Sequence, residues 1–318
     1  MKINNKKLEI HLLVNETAGN GNARKVFAKT INLLTRGNIK YDFQKSHFSG
    51  ELINLAQEYG NKSHSTNEAL VVIGGDGSFN QVLNGIKRSG NPNTPISYLP
   101  AGTGNDFARA AKLTNKPEKL IANLKHNLTV EQVDCGAYNF PDYSKQIYYF
   151  ANNFGIGFDA YVVYRSNKAK LKKFLNRIHS GKLIYAFNVI NALCNQNTFS
   201  VDVESGNKKF HYDDAYFVTT TNHPYFGGGI PILPKANIYS HNLDTVIVEK
   251  PSLGKFIKLF YHVLIDKSQL SDPQFHYVEA KKISVKTKTS EFAQIDGEVI
   301  YKRPFDVQFR IDHFNLLR

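Results

Sequence analysis

Cysteine is almost absent from this chain of 318 residues, which contains only Cys135 and Cys194. Two cysteines cannot form a disulfide framework and show no metal-ligand spacing, so their scarcity indicates a reducing compartment. Long apolar runs are absent as well, since none approaches the ~18 residues of a membrane-spanning helix. The N-terminal apolar segment is short and is broken by His11, unlike a signal peptide. We therefore expect a soluble, cytoplasmic protein.

Acidic residues are outnumbered by basic ones, with 27 Asp and Glu against 40 Lys and Arg and a net charge of +13. This balance favours an anionic partner, and nucleic acid, an anionic membrane surface and a phosphorylated ligand all meet that condition. The sequence contains no recognised nucleic-acid-binding module, so we expect no nucleic-acid partner.

The length predicts two domains, and the sequence pattern changes near Cys135. Before it, strands are predicted at 8–15, 41–46, 69–75 and 95–102, and helices at 24–35, 50–60, 79–88 and 105–112. This alternation predicts an α/β domain with a parallel sheet covered by helices on both faces. After it, a helical basic stretch at about 159–195 precedes strands with a period of two, which predict a mostly antiparallel β domain.

Three glycines surround one carboxylate where the third strand ends, in Gly74-Gly75-Asp76-Gly77. Glycine permits close backbone approach, so successive N–H groups can point at a phosphate above a helix N-terminus. Asp76 would be repelled there unless it holds Mg²⁺ or accepts a proton from a nucleophile. The alternative is a plain tight turn with a solvated aspartate.

Two further loops favour the phosphate site. The stretch "LPAGTGNDFARA" (99–110) repeats the arrangement one strand later, although Asp106 could also be a helix cap, and "NETAGNGNA" (15–23) follows the first strand. The ends of parallel strands meet at one sheet edge, where ligands gather. The loops match neither the P-loop nor the GxGxxG pattern, which excludes P-loop NTPases and Rossmann dehydrogenases.

Seven motifs in order resemble the bacterial diacylglycerol kinase and sphingosine kinase group of soluble lipid kinases. They are "NETAGNGNA", "GGDGSFNQVLNGI", "LPAGTGNDFARA", "VDCGAYN", "NNFGIGFDA", "FGGGIPILPKA" and "IDGE". GGDG alone is shared with NAD kinases and phosphofructokinases, whereas its pairing with PxGTxND is far more specific. The resemblance covers essentially the whole chain.

The resemblance implies an N-terminal nucleotide-binding domain like that of NAD kinase and phosphofructokinase, at residues 1–135 plus 306–318. A β-rich lipid-substrate domain would occupy 136–305, with the active site in the cleft between them. The implied activity is Mg²⁺-dependent transfer of the γ-phosphoryl group of ATP to a lipid hydroxyl. Diacylglycerol is the first choice of acceptor, but the motifs do not separate it from sphingoid bases, phosphatidylglycerol or another lipid alcohol.

The resemblance also assigns site residues. The nucleotide would be lined by Asn15, Glu16, Thr17, Ala18, Gly19, Ser46, Gly74, Gly75, Asp76, Gly77, Ser78, Phe79, Asn80 and Thr103. The catalytic Mg²⁺ would lie in an acidic network of Asp76, Asp106 and Asp134. Glu298 would orient either Asp296 or the nucleotide.

The sequence allows two interpretations of Asp296. Asp-Gly between two strand-like halves is a strong hairpin signal, so Asp296-Gly297 could be simply a turn. The resemblance instead implies that Asp296 is the general base, which must come within hydrogen-bond reach of the lipid hydroxyl. Asp76 is the second candidate for that role.

One loop departs from the family pattern. The family often has Asp-Gly in a P-x-A-x-x-x-D-G-x-L segment that holds a structural Mg²⁺, and this chain has Ser240-His241 there. Loss of the carboxylate removes the strongest hard ligand, so a structural Mg²⁺ is not expected at this loop. Ser78 in place of threonine keeps a hydroxyl.

The stretch 163–182 holds seven Lys and Arg and no acid. Its apolar residues recur at helical spacing, which predicts an amphipathic helix with Lys170, Lys172, Lys173 and Arg177 off the apolar face. The helix could be packed on the second domain with a solvated polar face. The alternative is contact with the anionic inner face of the membrane, worth roughly 1 kcal/mol per Lys or Arg.

Two other functions stay open at this stage. An NAD kinase would share GGDG but would not explain PxGTGND or the basic stretch. A non-catalytic nucleotide- or lipid-binding regulator would be encouraged only by the altered Ser240-His241 loop. The oligomeric state is open, and a homodimer is one option.

Overall fold

The protein is described by a computed structural model over residues 8–126, 128–167 and 197–318. Its first half is built on parallel strands: β1 Glu9–Val14, β2 Lys40–Lys45, β3 Glu68–Gly74 and β4 Ile96–Pro100. They lie in the order β2-β1-β3-β4, and every neighbouring pair is parallel. The predicted α/β architecture is confirmed.

Helices follow the strands as expected for crossover connections: α1 Asn22–Arg36, α2 Glu51–Gly60, α3 Asp76–Arg88, α4 Asp106–Ala110 and α5 Pro117–His126. The sequence did not predict α5. It also placed the start of α3 too late, at Phe79. The helix begins at Asp76, because Gly77 and Ser78 continue the helical turn that Gly75 caps.

Both faces of this sheet are covered, which explains why β3 is an unbroken apolar run. Leu70 and Val72 face a core that includes Phe79 of α3, whereas Val71 and Ile73 face a core that includes Phe27 of α1. Alternate residues of one strand thus enter two different cores.

The second half is mostly antiparallel, as predicted. Its strands are β5 Val130–Phe140, β6 Ser144–Phe150, β7 Asn153–Gly157, β8 Phe199–Ser205, β9 Lys208–Thr221, β10 Tyr225–Phe226, β11 Ile230–Pro231, β12 Leu243–Glu249, β13 Phe275–Ala280, β14 Lys282–Thr287, β15 Glu291–Ile295, β16 Glu298–Arg303 and β17 Asp306–Leu317. The main sheet runs in the order β16-β15-β7-β9-β8-β14-β17 and then continues into β4, β3, β1 and β2. Strands β5, β6, β7, β10, β11 and β13 were not predicted.

Two long strands join the halves. β17 pairs with β14 and β5 in antiparallel register, and Leu316 pairs with Ile96 of β4 in parallel register. Along β17, Phe309 lies in the core of the second half and Phe314 in the core of the first. β5 likewise contributes Cys135 to one core and Phe140 to the other. The division at residues 135 and 306 stays a prediction: β5 crosses it at residue 135 without a break, and β17 begins at residue 306.

In the described part of the second half, the α-helices are α6 Phe158–Asn167 and α7 Leu253–Tyr261. α6 agrees with the start of the predicted helical stretch at 159–195. The predicted membrane-contact residues Lys170, Lys172, Lys173 and Arg177 lie outside the described residues. Among the residues described, no helix has the length and apolar character needed to span a bilayer.

Candidate active site

The three glycine loops meet at the carboxyl edge of the parallel sheet, where β1, β3 and β4 end. The Gly75 and Gly102 loops touch: a Cβ added to Gly102 would lie 2.5 Å from the Gly75 Cα. The backbone N–H of Ala101 donates to the Gly74 carbonyl at 2.7 Å, and the Asn15 amide donates to the Ser78 hydroxyl at 3.1 Å. Only glycine permits this approach between two strand ends.

A cavity of about 380 Å³ opens above these loops. It is lined by the predicted nucleotide residues Asn15, Thr17, Ala18, Gly19, Ser46, Gly75, Gly77, Ser78, Thr103 and Glu298. Gly102 of the second predicted glycine loop also lines it, as do His47, Phe48, Ser49 and Gln81, which the sequence did not single out. Glu298 comes from β16 of the second half, and its Oε1 lies 3.3 Å from where a Cβ on Gly77 would be. Both halves of the chain therefore form this cavity.

The other predicted nucleotide residues lie around the cavity. Glu16 pairs with Lys45 at 3.0 Å and with Arg24 at 3.7 Å. The Gly74 backbone packs against Ser78, and a Cβ there would lie 2.5 Å from the Ser78 hydroxyl. The Phe79 ring is fully buried and stacks on Tyr98 and Phe107, with centroids 4.7 Å apart in both pairs.

A second cavity of about 730 Å³ adjoins the first and has a different character. Its lining includes four carboxylates, Asp76, Asp106, Asp159 and Asp296. It also includes the apolar side chains Phe158, Val162, Val163, Phe226 and Ile230. The two cavities share Thr103, and Asp76 of the second lies between Gly75 and Gly77 of the first.

Asp296 occupies a two-residue turn between β15 and β16, with positive φ at Asp296 (47°) and Gly297 (88°). The hairpin reading is therefore correct, but the carboxylate is buried rather than solvated. Oδ2 accepts from the Asn80 amide and the Ala151 N–H, both at 2.8 Å. Oδ1 accepts from the N–H groups of Asn152 at 2.9 Å and Asn153 at 3.0 Å.

These four donors use the full acceptor capacity of the Asp296 carboxylate, which has about four lone-pair sites. Burial raises the pKa of Asp296 to about 6, against the donors, which lower it. A proton acceptor with a pKa near neutrality is suited to general base catalysis, but here each lone pair already has a hydrogen-bond partner.

Asp76 is less saturated than Asp296. Its Oδ2 accepts from the Asp106 N–H at 3.2 Å and its Oδ1 from the Phe107 N–H at 3.4 Å, so each oxygen keeps a free lone pair. Burial raises its pKa to about 6, and repulsion from Asp106 and Asp296 adds to the rise.

Asp106 is buried beside Asp76. Its Oδ2 accepts from the Gly228 N–H at 2.8 Å, while its buried Oδ1 has no hydrogen-bond partner. Burial raises the pKa of Asp106, against the Gly228 N–H and the Arg109 charge. The Oδ2 atoms of Asp76 and Asp106 lie 3.2 and 3.8 Å from where a Cβ on Gly104 would be, so the two carboxylates are neighbours. A buried carboxylate with an unpaired oxygen beside a second carboxylate is the arrangement expected where a cation binds.

Asp134, the third predicted ligand of the catalytic metal, makes different contacts. It lies on β5 and is 1% exposed, and its Oδ2 accepts from the His241 N–H at 2.7 Å. The altered Ser240-His241 loop thus packs against this carboxylate. Its place in the Asp76–Asp106 network stays a prediction.

Four polar residues of the second cavity were not assigned from sequence. The Gln294 amide donates to Asp159 Oδ2 at 2.9 Å and also to Asn153, and Asn152 lines the same wall. Asp159 is buried, which raises its pKa to about 7, and its Oδ1 has no hydrogen-bond partner. The "NNFGIGFDA" motif contains three of these four residues, so it was the sequence feature from which they could have been predicted.

Comparisons with known proteins agree with this arrangement. Residues 9–138 match the model of the diacylglycerol kinase catalytic domain, and residues 153–318 match that of the YegS C-terminal NAD kinase beta sandwich-like domain. The chain is 29% identical to YtlR of Bacillus subtilis, named as a candidate lipid kinase, over 92% of this chain and 94% of that one. It is 24% identical to the diacylglycerol kinase of Bacillus subtilis, over 90% and 88% of the two chains.

A solved structure has the same fold. A candidate diacylglycerol kinase from Bacillus anthracis superimposes with a TM-score of 0.73 at 23% identity. The match covers 97% of this chain and 96% of that one, so it includes both halves and the cleft between them.

Proposed function

Because the chain belongs to the family of diacylglycerol kinases and related soluble lipid kinases, and is therefore a kinase, we propose that it transfers the γ-phosphoryl group of ATP to a lipid hydroxyl. Diacylglycerol is the proposed acceptor and phosphatidic acid the product. One observation carries the proposal: a cavity lined by glycine loops and a cavity with apolar walls meet at Asp76 and Thr103.

The glycine-loop cavity suits the phosphates of ATP. Its lining includes Gly75, Gly77 and Ser78 at the start of α3, and a helix N-terminus favours anionic groups. A side chain at Gly75 or Gly102 would fill the space where the two loops touch.

The carboxylates between the cavities fit Mg²⁺. Asp106 Oδ1 is buried and unpaired and Asp76 keeps free lone pairs, so both offer the hard oxygen ligands that this ion prefers. Bound there, the ion would neutralise charge on the phosphates of ATP. The two residues would otherwise repel each other and the nucleotide.

The proton acceptor is one of two carboxylates, and the geometry favours Asp76 over Asp296. Proton abstraction by Asp296 requires one of its four N–H donors to be displaced, whereas Asp76 has a free lone pair on each oxygen. One oxygen of Asp76 can face the cation while the other accepts the hydroxyl proton. Asp296 would then contribute to the acidic lining of the second cavity and fix Asn80 and the 151–153 loop.

The apolar walls favour a lipid acceptor over NAD. The acyl chains of a lipid can pack against the apolar side chains of Phe158, Val162, Phe226 and Ile230. An acceptor dinucleotide instead needs polar contacts along its length. The raised pKa values of Asp76 and Asp296 argue against a non-catalytic regulator, because perturbed carboxylates cluster where chemistry occurs.

We also propose that the protein works at the inner face of the membrane, where its acceptor resides. The basic residues of 163–182 support this through their charge. Near the apolar cavity, the segment after α7 contacts β11, which carries Ile230. Tyr261 and Ile265 in that region are 54% and 63% exposed. Cosedimentation with anionic vesicles, and none with neutral ones, is the expected result; equal binding to both would refute the charge argument.

The activity is tested by incubating purified protein with Mg²⁺, γ-labelled ATP and a total lipid extract in mixed micelles, with NAD as a parallel acceptor. We expect label in one lipid that comigrates with phosphatidic acid, and none with Asp76→Asn. Label in NAD alone would show that the lipid assignment is wrong. Label in neither acceptor would favour the regulator.

A further inference from the structure

Three side chains with metal-binding atoms converge at the junction between the two halves, outside the residues that line the two cavities. Asp134 of β5 and His313 of β17 are direct partners across the antiparallel pair, so their side chains lie on the same face of the sheet. His241 enters from the loop that precedes β12. One ligand atom from each residue lies within 4.8 Å of the other two.

The carboxylate organises this cluster. Asp134 Oδ2 is held by the His241 backbone N–H, which leaves Oδ1 facing both imidazoles. Its distance is 3.0 Å to the His241 Nδ1 and 3.8 Å to the His313 Nδ1. The second distance is too long for a hydrogen bond.

The His313 Nδ1 is therefore an unexplained atom. It is shielded from solvent and has no hydrogen-bond partner, although its ring edge is exposed. A buried polar nitrogen without a partner is rare and costly. This nitrogen points to the same space as Asp134 Oδ1 and the His241 Nδ1.

We propose that Asp134 Oδ1 and the Nδ1 atoms of His241 and His313 bind a transition-metal dication, with Zn²⁺ as the best fit. Ligand atoms at Zn–N and Zn–O bond lengths in a tetrahedron lie ~3.3 Å apart. The observed 3.0 and 3.8 Å fall on either side of that value. The two rings are perpendicular (87°), with centroids 6.3 Å apart, so they do not stack on each other.

The ligand set selects against Mg²⁺. Two imidazole nitrogens and one carboxylate favour Zn²⁺, Ni²⁺, Co²⁺ or Cu²⁺, whereas Mg²⁺ requires oxygen ligands in an octahedron. The cluster is thus chemically distinct from the all-oxygen pair of Asp76 and Asp106. The proposal therefore assigns Asp134 to a metal ion other than the catalytic Mg²⁺.

Contacts behind the ligands hold them in place, as metal sites require. The Asn222 amide donates to the Asp134 carbonyl at 2.7 Å, and the Asp134 N–H donates to the Ile238 carbonyl at 2.9 Å. His241 has φ of 55°, an uncommon conformation for a residue with a side chain, and it turns the imidazole toward Asp134. The metal would tie the loop before β12 to the β5–β17 pair and leave a fourth position open on the exposed side.

The test is metal binding by tag-free protein stripped with a chelator, so it does not depend on kinase activity. Equilibrium dialysis against Zn²⁺ with excess Mg²⁺, followed by elemental analysis, should give one Zn²⁺ per chain. His241→Ala and His313→Ala should both lose it. His276→Ala is the matched control, because His276 also pairs with a carboxylate, Glu249 at 2.9 Å, but lies outside the three-residue cluster; it should keep the ion.

Two further readouts decide the case if a variant folds poorly. Co²⁺ added to the stripped wild-type protein should give the intense visible absorption of a tetrahedral site, and Zn²⁺ should remove it. Zn²⁺ should also raise the melting temperature of the wild type and the control variant. Zn²⁺ retained by both histidine variants, a weak octahedral Co²⁺ spectrum, or displacement by equimolar Mg²⁺ would each overturn the proposal.

Discussion

Replacement of Asp76 by Asn should make the protein more stable while it removes activity. Burial raises the pKa of Asp76 from 3.8 to about 6, and the nearby carboxylates of Asp106 and Asp296 add to the rise. The folded state thus binds this proton more tightly than the unfolded chain does. The free energy of unfolding therefore falls as pH rises from about 4 to about 6, and stays reduced above that range.

The magnitude follows from that rise in pKa. A rise of about two units corresponds to ~3 kcal/mol of unfavourable ionisation. An asparagine carries no charge, so it avoids this cost, but its amide NH₂ group replaces one oxygen and gives up one long N–H contact, worth ~1 kcal/mol. At pH 8 without Mg²⁺, we expect the free energy of unfolding of Asp76→Asn to exceed that of the wild type by ~1–3 kcal/mol.

The assay is urea unfolding in EDTA at pH 8 and pH 5, together with the rate of lipid phosphorylation. The gain should shrink by ~1.4 kcal/mol at pH 5, because there the folded Asp76 is mostly protonated while the unfolded wild type is already ionised, so about half of the penalty remains. The kcat should fall ~10²–10⁴-fold. Asp296→Asn is the matched comparison, since its NH₂ group would face two N–H donors; we expect it to be at least ~1 kcal/mol less stable than Asp76→Asn. A destabilised or fully active Asp76→Asn would refute this account of the site.

Two further results follow from the same geometry. Gly102→Ala should lower both the affinity for ATP and the stability of the protein, because its Cβ would lie 2.5 Å from the Gly75 Cα. Gly254→Ala is the control and should lower neither, because nothing lies within 4 Å of its Cβ. Calorimetric titration measures the ATP affinity of both variants. Asp159→Asn should raise the melting temperature more at pH 8 than at pH 5, because burial raises the pKa of Asp159 from 3.8 to about 7 and the wild type loses stability progressively as pH rises through that range. Normal ATP affinity in Gly102→Ala would contradict the prediction for that variant. A melting temperature of Asp159→Asn that is raised equally at both pH values would contradict the prediction for Asp159.

Local sequence was sufficient where structure depends on neighbours along the chain. The buried run of β3 and the glycines after β3 and β4 each act within a few residues, and the parallel sheet brings the loops together. This is why most of the predicted nucleotide residues line one cavity. The side chain of Phe79 shows the limit of transfer by motif, since it lies in the core beneath the loop.

Strands β5 and β7 were missed because glycine interrupts their pattern. Gly136 makes room for the Phe150 ring, which would lie 1.9 Å from a Cβ, and Gly155 makes room for the Asp159 carboxylate at 1.6 Å. These glycines are required by contacts across the sheet. A prediction from local secondary-structure propensity interprets such glycines as turn signals instead.

The partners of Asp296 could not be predicted for a related reason. Its four donors come from Asn80 and from residues 151–153, more than 140 residues away along the chain. The motif located the carboxylate, but only the fold shows that its acceptor sites are filled. The choice between Asp76 and Asp296 therefore depends on tertiary contacts.

The most direct test of the central claim is a pair of KM values, for ATP and for diacylglycerol, in two cavity-filling variants. Val163→Trp narrows the apolar cavity and Ser49→Trp narrows the glycine-loop cavity. We expect Val163→Trp to raise the KM for diacylglycerol at least ~10-fold with the KM for ATP unchanged, and Ser49→Trp to do the reverse. If both variants raise the same KM, or neither value changes, the two cavities do not hold the two substrates.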